Sequence, residues 1–278
     1  MELSDGIGLL FAVLAAVSWG TFFVPVRKVG VTNIWQLQGA TSVGVLLFSI
    51  PIGIFWGFEI QLGGILSGII WTIANLLALY SVKLIGLART SPLLAGFSII
   101  TAFVWGIIFF GETFDFLWIA VSAIGLLLFG LSLVISKEKN QVIQKKGYAI
   151  AIASGLVGGS YVIPMQATQT LQSGFFSLSI SIFAIGIPMF FLAKRFITKE
   201  TIAGIASGVL FNTGSLSVLV AISLIGITTA YPISQTATLF AVSWGILYFK
   251  EVVQKRRIFQ ISIGAIIILC GAALLVIA

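Results

Sequence analysis

Two short sets of uncharged polar residues are where this chain could do chemistry. Gly68, Thr72 and Asn75 share one face of a helix, with Trp71 beside them. Gly208, Asn212 and Ser215 repeat the pattern, with Phe211 beside them. A spacing of four and then three keeps each set in line on its helix. Amides and hydroxyls donate and accept hydrogen bonds, and aromatic rings pack on the C–H faces of a sugar-like ring. Such sets suit a neutral polyhydroxy ligand. The alternative is that these polar groups bond neighbouring helices and the glycines admit close packing. Tyr231, Gln235 and Thr238 form a further polar face, and Tyr161 adds another candidate. The candidate substrate-binding set is therefore Trp71, Thr72, Asn75, Tyr161, Phe211, Asn212, Ser215, Tyr231, Gln235 and Thr238.

Other chemistries find no residues. The chain has no His and one Cys, Cys270, which leaves no metal-ligating cluster and no cofactor motif. No acid pair and no serine with a plausible base suggest catalysis. An enzyme is the weakest reading.

The elements that hold these residues follow from composition. Of 278 residues, 59% are hydrophobic and 8% charged, against roughly 25% charged in a soluble domain. The chain belongs in a bilayer. A crossing helix needs about 20 apolar residues. Ten such segments can be drawn, at 7–26, 34–56, 62–82, 90–110, 116–135, 147–166, 174–193, 201–223, 229–249 and 258–277. With no water to satisfy the backbone they must be helices, so the expected fold class is an all-α polytopic membrane protein.

Charge fixes an expected orientation. All 15 Lys and Arg fall after the first, third, fifth, seventh and ninth segments, and the termini and the other connections hold none. The positive-inside rule puts the basic loops in the cytoplasm and both termini outside a plasma or inner membrane. Topology and lipid contact account for the net charge of +7, so no nucleic-acid partner is implied.

The chain also repeats itself. Ser67 to Glu112 returns, altered, as Ser207 to Glu251, sharing S-G, L-I-G, a proline, W-G-I and F-x-E. WGTFFVP (19–25) matches GGSYVIP (158–164). Residues 1–140 and 141–278 therefore read as two five-helix repeats, and an odd number of crossings inverts the second. Inversion would bring the faces of Thr72–Asn75 and Asn212–Ser215 together near mid-membrane. The paired prolines Pro25/Pro164 and Pro92/Pro232 are hinge or gating candidates, or simply good helix starts. Trp105 and Trp244 are cavity walls or interfacial anchors. Glu112 and Glu251, at the ends of the repeated block, are structural turn caps on the N–H groups opening the fifth and tenth helices, or coupling residues. No Asp or Glu lies at mid-membrane, which argues against a proton-driven exporter of cationic drugs and leaves facilitated diffusion open. Gly125 and Gly130, with Gly264 and Gly271, pack the fifth and tenth segments against a second copy in a homodimer or against their own neighbours.

Two inverted halves with this P…WGI…F-x-E block resemble the drug/metabolite transporter superfamily. Within it, SGIIWTIANLL (67–77), LIGLARTSPLLAG (84–96), Asn212–Ser215 and the Pro-Ile-Ser-Gln of 232–235 are similar to the glucose/ribose porter family of bacterial sugar uptake proteins. That resemblance implies uptake of glucose or ribose, with protons as coupling ion. The expected function is monosaccharide transport by alternating access. The rivals are an exporter of amino acids, metabolites or drugs on the same fold, and a membrane regulatory or scaffold protein that transports nothing.

Overall fold

The computed structural model describes residues 3–111, 117–135, 141–168, 173–193, 198–225, 230 and 233–276. Within them every regular element is helical: α1 (Leu3–Thr21), α2 (Val24–Val29), α3 (Ile34–Trp56), α4 (Leu62–Ile85), α5 (Leu87–Phe110), α6 (Leu117–Val134), α7 (Gln141–Gly158), α8 (Ile163–Ala167), α9 (Gly174–Leu192), α10 (Lys199–Ile225), α11 (Ala237–Ser243), a π-helical turn at Trp244–Tyr248, and α12 (Lys255–Val276). The chain is an all-α polytopic membrane protein. Among the described residues eight helices are long and apolar enough to cross a bilayer, counting α1 with α2 and α7 with α8. A shorter apolar helix, Trp118–Val134, adds to them. The expected crossing at 229–249 is described only in part, as α11 and the π-helical turn.

Two of the expected segments are broken, and at matching places. α1 stops at Thr21 and the chain resumes helix at Val24, with Pro25 in the first turn of α2. α7 stops at Gly158 and resumes at Ile163, with Pro164 in the first turn of α8. Proline lacks an N–H and clashes with the preceding turn, so it interrupts the longer helix and opens a new one. Pro92 differs. Helix α5 begins at Leu87, earlier than its apolar run suggested, so Pro92 lies inside it rather than in its first turn. There it removes the hydrogen bond that the Ala88 carbonyl would otherwise accept. The turn between α4 and α5 is one residue, Gly86, whose φ of +83° is natural only to glycine. Pro232 lies outside the described residues.

Small residues set how closely the helices pack. Gly204 and Gly208 of α10 lie on Ala40, Thr41 and Val45 of α3, and Gly64 and Gly68 of α4 lie on Gly174, Ser177, Leu178 and Ser181 of α9. Gly39 and Gly186 bring α3 and α9 together against Phe190 and Ser42. Gly130, Gly264 and Gly271 are taken up in the contact of α6 with α12, whereas Gly125 faces open space. Large apolar side chains such as Leu10, Ile54, Phe55, Val121 and Phe259 face outward, where lipid would cover them.

A Cβ on Gly208 would run into the Thr41 carbonyl of α3. Gly208→Val should destabilise the folded protein by about 1–3 kcal/mol, measured as a lower midpoint of thermal aggregation in detergent than for wild type.

Candidate functional site

The two helix breaks open onto a cavity of about 250 Å³. Trp19 and Phe22 come from the first break, Gly158 and Tyr161 from the second. α4 contributes Trp71 and Asn75, α5 contributes Ser91 and Ser98, α10 contributes Phe211, and Gln235 and Thr238 close the remaining side. Interrupted helices at such a site are a recurring transporter device, because unwound backbone is tolerated only where it lines a cavity. Where one water takes about 10–15 Å³ on this scale, the space admits a ring compound of about a dozen heavy atoms with a few waters.

Among the described residues the wall is uncharged: no Asp, Glu, Lys or Arg contributes to the lining. Trp71 and Phe211 form its aromatic floor, with ring centroids 4.1 Å apart and planes at 34°. Phe22 adds a third ring 6.0 Å from Phe211. Trp19 holds this group in place, since its Nε1–H donates to the Phe211 carbonyl at 3.2 Å and its ring fills the space above Gly214. Two of the wall hydroxyls already donate to backbone, Ser98 to Gly155 at 3.0 Å and Ser154 to Ala74 at 2.7 Å. Each keeps lone pairs for a ligand. Asn75, only 4% exposed, donates from Nδ2 to Oε1 of Gln38 at 2.7 Å.

The structure divides the candidate residues. Trp71, Asn75, Tyr161, Phe211, Gln235 and Thr238 line the cavity. Thr72 does not: its hydroxyl donates to the Gly68 carbonyl one turn back in its own helix. Ser215 does the same with Phe211. Asn212 points away, into the junction of α10 with α3 and α9. It is fully buried, and its Nδ2 reaches the Val45 carbonyl and Ser49 Oγ at 2.8 Å and Ser179 Oγ at 3.1 Å. Tyr231 lies outside the described residues. Trp105 and Trp244 also stay off the cavity, their indole N–H groups donating to Ser160 and Thr21 beside the two breaks. Sequence reasoning passed over Trp19, Phe22 and Ser154. The first two sit in the repeated WGTFFVP block, which was the available signal; Ser154 had none.

Glu251 is a helix cap, but of a different helix from the one expected. Its Oε1 and Oε2 accept from the backbone N–H of Leu87 at 2.9 Å and Ala88 at 2.8 Å, the start of α5 rather than of α12. Arg27 Nε donates to Oε1 at 2.7 Å, and the Glu251 side chain is 4% exposed. The reason is the turn before it: the Glu251 N–H bonds back to the Gly245 carbonyl, which directs the carboxylate inward. A Cβ on Gly86 would come within 2.6 Å of that carboxylate, so Gly86 is needed for the approach as well as for its φ. Glu112 lies outside the described residues.

Comparison with known proteins places the chain. A family model described as "Sugar transport protein" matches residues 10–278. The chain belongs to the sugar transport protein family. Among curated relatives of this transporter, "Glucose uptake protein GlcU" of Bacillus subtilis (strain 168) is 28% identical, over 97% of this chain and 98% of that protein. "Putative ribose uptake protein RbsU" of Latilactobacillus sakei subsp. sakei (strain 23K) is 27% identical over 97% and 98%. A crystal structure of another protein superposes with a TM-score of 0.61 over 96% of both chains at 14% identity, so the two share a fold. The chain is thus a multi-pass membrane sugar transporter and not an enzyme.

Three variants of this transporter test the scaffold around the cavity. Glu251→Ala leaves two helix-opening N–H groups without an acceptor, at about 1–3 kcal/mol each. Its thermal midpoint in detergent should fall below that of Glu251→Gln, which keeps one acceptor oxygen, and both should fall below wild type. Asn212→Ala should reduce the amount of folded protein recovered from membranes, because the lost bonds join three helices.

Proposed function

We propose that this chain takes up a neutral monosaccharide, glucose or ribose in class, by alternating access through the cavity between α4, α5, α10 and the two helix breaks. The observation that carries this is the wall itself: an aromatic floor, a few hydrogen-bonding groups and no charge. A sugar ring offers apolar C–H faces to Trp71 and Phe211 and hydroxyls to Asn75, Ser91 and Gln235. The names of the glucose and ribose uptake relatives agree with that chemistry.

A few hydrogen bonds at about 0.5–1.5 kcal/mol each plus ring packing imply half-saturation near 1 mM, on the scale where 1 mM is about 4 kcal/mol. Weak binding of that order suits a site that must release its solute on the other side.

The reading includes ten crossings in two inverted halves, 1–140 and 141–278, with termini outside and basic loops in the cytoplasm. Helix neighbours support it. At an offset of about 140 residues, α1 on α10 becomes α7 on α4, and the contacts correspond: Gly8 lies on Ile225, and Gly147 on Ile85. α3 on α10 becomes α9 on α4, and α1 on α11 becomes α7 on α5. The contacts of α3 with α9 and of α6 with α12 map onto themselves. Pro25 and Pro164, which open the short helices beside the cavity, are the hinge candidates this arrangement favours. Proton coupling belongs to the same proposal.

The test is uptake of labelled monosaccharides by purified protein in proteoliposomes, with and without an inward proton gradient. Wild type should accumulate one of them when the gradient is imposed. Asn75→Ala should lower the initial rate at sub-saturating sugar by about tenfold or more while its level in the bilayer stays at that of wild type. Uptake indifferent to the gradient would remove proton coupling alone. No uptake of any sugar would overturn the proposal.

A further inference from the structure

Gln38 stands behind the cavity rather than in it. It lies on α3, a helix that contributes nothing to the lining, and it is fully buried. Its Oε1 accepts from Asn75 Nδ2 at 2.7 Å, and its own Nε2 has no partner among the described residues. Buried polar groups are normally paired. Left unpaired directly behind a cavity residue, this amide bears on the site as well as on the joint between two helices.

The connection lies in what the amide pair can do. An asparagine amide carries one acceptor oxygen and a nitrogen with two N–H groups. With one N–H of Nδ2 bonded to Gln38, Oδ1 and the second N–H are what Asn75 has left for a solute. We propose that Gln38 is a positioning residue that fixes the plane of the Asn75 amide, so that it presents both an acceptor and a donor to the solute. Asn75 can then meet a sugar hydroxyl in either sense. This rests on the reading that the cavity binds a monosaccharide.

The test uses the full-length protein in proteoliposomes and the sugar that wild type carries, with its monodeoxy and deoxyfluoro analogues. Fluorine accepts weakly and cannot donate, so it needs the donor face of Asn75. Gln38→Met should raise KM for the parent sugar about tenfold with Vmax within about twofold. Gln38→Met combined with Asn75→Ala should have the KM of Asn75→Ala alone, because the two residues act as one unit. Gln38→Glu, buried in the membrane and therefore neutral, keeps a carbonyl acceptor for Asn75 Nδ2. It should recover KM for the parent sugar and for the fluoro analogue to within about threefold of wild type. Additive effects at 38 and 75, or wild-type KM in Gln38→Met, would overturn the proposal. If Gln38→Met does not reach the bilayer, Gln38→Asn, an amide one methylene too short to meet Asn75, takes its place with the same outcomes. Absence of sugar uptake by wild type itself would instead remove the functional reading and this inference with it.

Discussion

The structure depends on one constraint: inside a bilayer, every backbone polar group must find its partner in the chain, and side-chain polar groups are costly without one. Hydroxyls and amides of one helix therefore end on backbone carbonyls of another. Asn212 joins α10 to α3 and α9. Ser154 ties α7 to α4, and Ser181 ties α9 to α4 at the Ile65 carbonyl. Such bonds require backbones that nearly touch, and the glycines of α3, α4, α9 and α10 make the approach. Small residues and polar residues are thus two halves of one device, and removing either loosens both.

The cavity is where this rule is relaxed. Two helices stop short there, and Asn75, bonded to Gln38 on one side, and Gln235 border open space. An empty polar pocket in lipid would be costly; one lined mostly by apolar side chains, with two of its hydroxyls already bonded to backbone, is less so. That balance explains why the wall has many aromatic atoms and few polar ones.

Much of this was legible in the sequence, and the failures have physical reasons. The helical character and the neutrality of the site followed from composition and from where the acids lie. The repeat drew attention to Trp71, Asn75 and Phe211. Spacing alone could not say which way a face turns. Thr72 and Asn75 are neighbours on one helix surface, yet one bonds its own backbone and the other reaches the cavity. Asn212 matched Thr72 in the repeat, and its surroundings made it a bolt between helices. Gln38 gave no signal, because a polar residue near the start of an apolar run reads as a helix end. The partner of Glu251 was invisible for a simpler reason: Arg27 is 224 residues away.

That separation bears on how the protein is made. The start of α5 leaves the ribosome 163 residues before the carboxylate that caps it. At about 5–20 residues per second this is a gap of roughly 10–30 s. Throughout that interval the Leu87 and Ala88 amides and the Arg27 guanidinium must rest on water or lipid headgroups at the membrane face. Closing this knot is therefore a late step in biogenesis, and a nascent chain ending before residue 251 cannot complete it.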